Sequence, residues 1–380
     1  MKVLVLGASN CLGPHSFAAF MAKEFFQLDG TEVVTCAIGA SPCSAGLYDA
    51  TQIDLSLFDI AIIDFEVNET GLVNSKVRSQ KDSATAMIAL IHKLRSSGVT
   101  PIVTIFPSIT GQATASSGER IHLEAAMAGG AAVFNMAEIF RQALPTRGEF
   151  EAVLADPVHL IYTIRQTVGS MFVRAIRHVR SFAPSWDIQP VPSAIGRSIS
   201  ARGLGRPIIE RSSSVRKSQL IAIEVNDELH LPIATDERLL ALIVNAGALG
   251  GLVEISSPSN RVVKQVSFYW NKEEPDAYLI QTVDIGAEIR GGDMGVTLRV
   301  LPAGSETKPT ESTLHSRTVD GRYGRVEIEG IILLKDTGSE PPTNVIVRRG
   351  LNHDLRPSVA ISDLLDNIKK QLGLPCATIQ

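Results

Sequence analysis

The chain has 380 residues, of which 44% are hydrophobic and 20% charged, with a formal net charge of −4. That length predicts two domains, each with its own core, and the slightly acidic balance excludes nucleic acid as the main partner. No apolar run approaches the roughly 20 residues that a membrane-spanning helix needs, and Cys11, Cys36, Cys43 and Cys376 have neither metal-ligand spacing nor the density of a disulfide framework. A reduced, cytoplasmic protein that requires neither metal nor cofactor is expected. Nothing in the sequence sets its oligomeric state.

Residues 1–180 alternate β-rich runs with amphipathic stretches. Met1-Lys2 leads into Val3-Leu4-Val5-Leu6 and the apolar run stops at Gly7, which predicts a strand and not a signal peptide. Further strands are predicted over 32–36, 59–64, 101–106 and 131–135. Between the third and fourth, Ala84, Met87, Ile88, Ile91 and Leu94 fall on one face of a helix. Another helix is predicted from Ile161, Ile164, Val168, Met171, Phe172, Ala175 and Val179, with Arg165, Arg174 and Arg177 on its solvated side. Strands alternating with helices predict a parallel sheet covered on both faces, its ligand site beyond the strand C-termini.

Residues 181–217 change character: Pro184, Pro190, Pro192, Gly203, Gly205 and Pro207 are interspersed with Arg197, Arg202, Arg206, Arg211 and Arg216. This composition predicts a basic, solvated linker whose cleavage releases a folded N-terminal fragment. Residues 218–380 form the predicted second domain. Short strands over 220–225, 239–244, 251–256, 262–270, 278–283, 296–301, 325–334 and 344–348 suggest a β-sandwich, jelly-roll-like. Ile361, Leu364, Leu365, Ile368 and Leu372 predict a closing helix of this domain.

Three elements of the first half can carry chemistry. Gly7-Ala8-Ser9-Asn10 follows the first strand, with Pro14 expected in the first turn of the next helix. There the Ser9 hydroxyl can reach substrate and its backbone N–H can face an oxyanion; otherwise Ser9 or Asn10 shapes the turn. In Asp156-Pro157-Val158-His159 the carboxylate can accept the imidazole Nδ1–H and leave Nε2 free as a general base. Asp followed by Pro is also a helix N-cap signal. In Glu66-Val67-Asn68-Glu69, after the third strand, Asn68 can donate its amide over the same sheet edge.

Taken together these elements resemble the SGNH (GDSL-type) hydrolases across roughly residues 1–180. That family carries Gly-Asp-Ser near its N-terminus, here Gly7-Ala8-Ser9 with Ala8 in place of Asp. Its Gly-x-Asn-Asp is altered here to Val67-Asn68-Glu69, and its Asp-x-x-His is complete as Asp156 to His159. The resemblance implies a flavodoxin-like three-layer α/β/α domain and a serine esterase or O-acyltransferase. In it Ser9 is nucleophile, His159 base and Asp156 orienter, with Ser9, Asn68 and a glycine as oxyanion donors. In Ala37-Ile38-Gly39-Ala40-Ser41-Pro42 the family's oxyanion glycine falls on Pro42, which has no N–H, so Gly39 or Gly46 must contribute or a donor is lost. Losing one costs about 10²–10³ in rate. The implied substrate is a small-molecule or glycan acyl ester, acetylated sugars being suggested by the accompanying sandwich.

Two other readings compete. Gly7, Asn10 and Gly13 partly match a dinucleotide-binding loop, but the middle glycine is Asn10 and the strand ending Thr35-Cys36 offers no acidic partner for a ribose. Tyr162 is followed four residues on by Gln166, where a Tyr-x-x-x-Lys pair needs lysine. A non-catalytic carbohydrate-binding or assembly protein is favoured by Pro42, with Phe268, Tyr269 and Trp270 available for stacking or for core.

Overall fold

Five apolar strands organise the N-terminal half of the computed structural model, which describes residues 1–181, 194–213, 216–246, 250–266, 278–292, 295–302, 305–311, 313, 324–337 and 362–373. They are β1 (Lys2–Gly7), β2 (Glu32–Ala37), β3 (Ile60–Asp64), β4 (Thr100–Ile105) and β5 (Ala132–Asn135), all parallel in the order β2-β1-β3-β4-β5. Alternation along each strand feeds two cores. Val3 and Val5 pack under α1 (Phe17–Asp29) and α8 (Tyr162–Ser181). Leu4 and Leu6 pack under α2 (Cys43–Gln52), α4 (Gln80–Ser96) and α5 (Ser117–Gly129). These side chains are fully buried, each stabilising the fold by roughly 1.5–3 kcal/mol. The shorter helices α3 (Glu66–Asn74), α6 (Met136–Ala143) and α7 (Arg147–Ala152) complete the α/β/α layers. In this order β1 and β3 are neighbours and form the switch point where such sheets bind ligands. It is not the order 3-2-1-4-5-6 of the dinucleotide-binding fold.

The second half is antiparallel. Its strands are β6 (Ala194–Ser200), β7 (Ile208–Ser212), β8 (Lys217–Glu224), β9 (Glu228–Leu231), β10 (Glu237–Asn245), β11 (Gly251–Ser256), β12 (Arg261–Val266), β13 (Ile280–Asp284), β14 (Val296–Val300) and β15 (Arg325–Asp336). One sheet runs β13-β10-β15-β8-β7 with β6 also on β15, and the other runs β12-β11-β14-β9. Ile221, Leu242 and Ile331 of the first share one apolar core with Val253, Val262 and Leu298 of the second. Residues 267–270, the end of one expected strand, and 344–348, the whole of another, lie outside the described residues.

The expected linker over 181–217 is corrected where it is described, residues 182–193 and 214–215 lying outside the described residues. Residues 194–200 and 208–212 are strands, and arginines of the segment are paired: Arg197 with Glu237 at 2.7 Å, Arg211 with Glu327 at 2.8 Å, and Arg216, just before β8, with both Asp49 and Glu329 at 3.0 and 2.7 Å. A Gly-rich, basic run reads as solvent-facing only when no acids await it. The closing helix is present as α9 (Ser362–Gln371), but its place in the second domain is corrected, since Ile368 packs into the core beneath α8 of the first half.

The two halves meet through α2. Cys43 to Ala50 are buried without interruption, so this helix has no solvated face. Close approach requires glycine on both sides. A Cβ on Gly46 would stand 2.5 Å from the Phe65 ring, and Cβ atoms on Gly196 and Gly330 would stand 2.5 Å from Leu47 and Tyr48. One apolar cluster therefore runs from Leu4 and Ile63 through Leu47 and Leu90 to Leu240, Ile243 and Ile332. Tyr48 Oη donates to the Glu329 carbonyl at 3.0 Å across this seam.

Candidate active site

At the end of β1 the chain turns sharply. Gly7 leaves room for the Cys11 thiol, since a Cβ would lie 2.2 Å from Cys11 Sγ and one of the two would have to shift. Ser9 opens a single 3-10 turn, closed by Leu12 N–H donating to the Ser9 carbonyl at 3.2 Å. Pro14 is not in the next helix: α1 starts at Phe17, capped by Ser16, whose hydroxyl accepts from Ala19 N–H.

Asp156 and His159 lie in a tight loop between α7 and α8, pinned by a bridge between Leu154 and Leu160. Asp156 does not cap α8, which starts at Tyr162. Its Oδ1 accepts the backbone N–H groups of Val158 and His159, both at 2.9 Å, and so folds its own turn. Its Oδ2 faces His159 Nδ1 at 2.7 Å. Partial burial raises the Asp156 pKa, but these N–H donors and the imidazole outweigh that and hold it below the usual carboxylate value. On the far side His159 Nε2 stands 2.7 Å from Ser9 Oγ, 150 residues away in sequence. Ile109 N–H, from the loop after β4, donates to the Pro157 carbonyl at 2.9 Å and steadies the arrangement.

The three candidate oxyanion donors sit at the ends of adjacent strands. Ser9 follows β1, Gly39 follows β2, and Asn68 lies in the first turn of α3 after β3. Asn68 is thus a helical residue and not a loop one. Gly39 packs beside Leu12, whose Cδ1 would be 3.5 Å from an added Cβ. Among the described residues, the N–H groups of Ser9 and Gly39 and the Asn68 side-chain amide have no hydrogen-bond partner.

Pro42 has a structural role. It is the N-cap residue of α2, and with no capping side chain of its own the helix borrows one: Cys43 N–H donates to Glu69 Oε1 at 2.9 Å. Glu69 is fully buried and held below the usual carboxylate value, burial being outweighed chiefly by the Arg78 guanidinium. Arg78 Nη1 stands 3.5 Å from Glu69 and 3.2 Å from Asp284 of β13. Sequence reading missed this network, as buried charges look like surface charges until their partners are known.

It also missed Asp64, the sole charge in the apolar run Ile60–Asp64 and a signal that was available. Asp64 pairs with Gly7 across the sheet, its carbonyl accepts Ala8 N–H at 3.1 Å, and its Oδ2 accepts from Cys11 Sγ at 3.3 Å. Burial without a cation pushes its pKa to about 7, the Cys11 hydrogen bond only partly offsetting it. Among the described residues no group of His, Cys, Asp and Glu could hold a metal ion, and no helix is long and apolar enough to cross a membrane.

No family model matches the chain. No curated protein matches it either. Solved structures are similar to its N-terminal half. The acetylxylan esterase from Geobacillus stearothermophilus is 15% identical over 49% of this chain and 95% of its own, with a TM-score of 0.38. The psychrotrophic esterase EstA from Pseudoalteromonas sp. is 12% identical over 47% and 98%, with a TM-score of 0.38. A protein assigned to the G-D-S-L lipolytic family, from Desulfitobacterium hafniense, is 17% identical over 46% and 98%, with a TM-score of 0.35.

Proposed function

We propose that the chain is a serine esterase that hydrolyses or transfers O-acyl groups. The observation that carries this is the unbroken hydrogen-bond chain from Asp156 through His159 to Ser9, with 2.7 Å at both links. An imidazole oriented by a carboxylate at Nδ1 and touching a serine hydroxyl at Nε2 is the arrangement that activates a serine nucleophile. Neither role of the aspartate as helix cap nor of the serine as turn former requires the other two.

Ser9 Oγ attacks the ester carbonyl carbon while His159 Nε2 takes the hydroxyl proton, and the carbonyl oxygen becomes an oxyanion. The backbone N–H groups of Ser9 and Gly39 and the Asn68 amide would receive that charge. Collapse expels the alcohol, which takes the proton from His159. Water or another acceptor then gives His159 a proton, attacks the acyl-serine and releases the acyl group, and the proton returns to Ser9. Asp156 stays ionised throughout and stabilises the imidazolium.

The substrate class is a small-molecule or glycan acyl ester, and acetylated sugars are the first to try. Pro42, which favoured a non-catalytic protein, is accounted for by the start of α2 and takes nothing from the triad. The test is hydrolysis of short-chain aryl esters by the purified full chain and by Ser9→Ala, with fluorophosphonate labelling of Ser9. Hydrolysis that persists unchanged in Ser9→Ala rules the reading out.

A further inference from the structure

We infer that β13 of the second half completes the active site by fixing the loop that carries Gly39, with Gln281 as its positioning residue. This rests on the esterase reading, in which Gly39 N–H is an oxyanion donor. Among the described residues β13 is the outermost strand of its sheet, and the loop after β2 is gripped by its side chains. Gln281 Nε2 donates to the Gly39 carbonyl at 3.1 Å. The next residue, Thr282, donates its hydroxyl to Ser41 Oγ at 3.3 Å. Two residues further, Asp284 accepts from Ser44 Oγ at 3.2 Å.

Successive strand residues point to opposite faces, so the loop is held from both sides of one strand. Gln281 shares the face of Val283, which belongs to the sandwich core, and Ala40 packs against that same core. Between the gripped residues Ala40 has a φ of 53°, in the left-handed region that a residue with a Cβ disfavours. A Gly-Ala pair in that conformation relaxes elsewhere unless something outside the loop holds it. The Gln281 amide holds the carbonyl of the peptide that follows Gly39, and so the orientation of the glycine itself.

An oxyanion donor acts only when aimed to within tenths of an ångström at the developing charge. Gln281 touches no reacting atom, since its effect passes through the Gly39 peptide. The apolar seam could hold the halves together without it, so its buried amide has a use beyond cohesion. The second half thereby gains a role in the chemistry without supplying a catalytic residue.

The test uses the purified full chain and p-nitrophenyl acetate. Gln281→Met keeps the side-chain shape and removes the donor. It is expected to lower kcat by about 10–100-fold while KM stays within about twofold, Ser9 still being labelled by fluorophosphonate. Gln281→Glu supplies a readout that a purely structural role would not move. Its protonated carboxyl can donate to the Gly39 carbonyl and its carboxylate cannot, so its activity relative to wild type should rise as pH falls. An unchanged kcat in Gln281→Met, in a wild type that labels normally, overturns the inference. So does a Gln281→Glu ratio that is flat with pH, and that ratio decides alone if Gln281→Met fails to fold. A wild type that neither labels nor hydrolyses esters brings down the esterase reading, and with it this inference, through a different measurement.

Discussion

Arg78 and Asp284 form an ion pair at 3.2 Å whose two side chains are each only 2% exposed, one from the first half of the chain and one from the second. Glu69 completes the group, 3.5 Å from the same Nη1 of the guanidinium. Burial pushes Asp284 up to about 6 even with Arg78 beside it and the weaker influence of Lys264, and Arg78 is the cation in contact with both carboxylates.

Removing that cation leaves two buried carboxylates facing each other. Arg78→Met is expected to cost about 3–5 kcal/mol of stability, the usual loss when one partner of a buried pair is deleted. Urea denaturation followed by fluorescence measures it. A loss below about 1 kcal/mol would place the pair among weak surface bridges.

A chain ending at residue 181 should not fold to a stable, monomeric domain. It would expose the outer face of α2, where Leu47, Tyr48 and Ala50 are at most 2% exposed in the full chain. It would also strand Arg78 and Asp49 without partners supplied by Asp284 and Arg216. The full chain should melt in one transition. A sharp, independent melt of the truncated chain in calorimetry would show that the halves are separate units after all.

Much of the first half was legible because its signals are local. Five apolar runs set the strands, and Asp156 and His159 sit three residues apart in one turn. What could not be read was long-range. The helix α2 was missed because, packed on both sides, it has no polar stripe to give a period. Strand β6 was hidden by Gly196, which admits Leu47, and both β6 and β7 by arginines whose acids lie up to 116 residues away, as with Arg211 and Glu327. The dependence of Gly39 on Gln281, 242 residues on, leaves no trace in either segment alone.

Asp156→Asn should preserve the fold and lower kcat by about 10³–10⁴, as an amide at that position presents the imidazole in the wrong tautomer. Aryl ester kinetics with circular dichroism as a fold check decides it. Activity within about tenfold of wild type would mean that Asp156 only builds its turn.

Asn68→Asp keeps the shape of the side chain but turns a donor into a charge that repels an oxyanion. A fall in kcat of at least about 10²–10³ is expected, with KM little changed, since the donor matters only as charge develops. A change confined to KM would mark Asn68 as a substrate-binding residue.

Asp64 offers a test through pH. Its folded pKa of about 7 lies above the ordinary value of 3.8, so folding favours its protonated form. Its favourable contribution is complete below about pH 4 and is lost as pH rises towards 7, where the folded protein must also ionise it. Each unit of displacement corresponds to about 1.4 kcal/mol, so the loss across that window is on the order of 4 kcal/mol as an upper bound. Glu66, likewise raised to about 7 by burial, adds a slope of the same sign. Asp64→Asn removes only the Asp64 share. The amide can still accept from Cys11, but its buried N–H groups cost about 1–3 kcal/mol at every pH. The variant should therefore be less stable than wild type near pH 4 and should gain on it steadily up to pH 7. Urea midpoints of the two proteins across this range give the difference directly. A difference that does not change with pH would mean that Asp64 ionises in the folded protein as easily as in the unfolded chain.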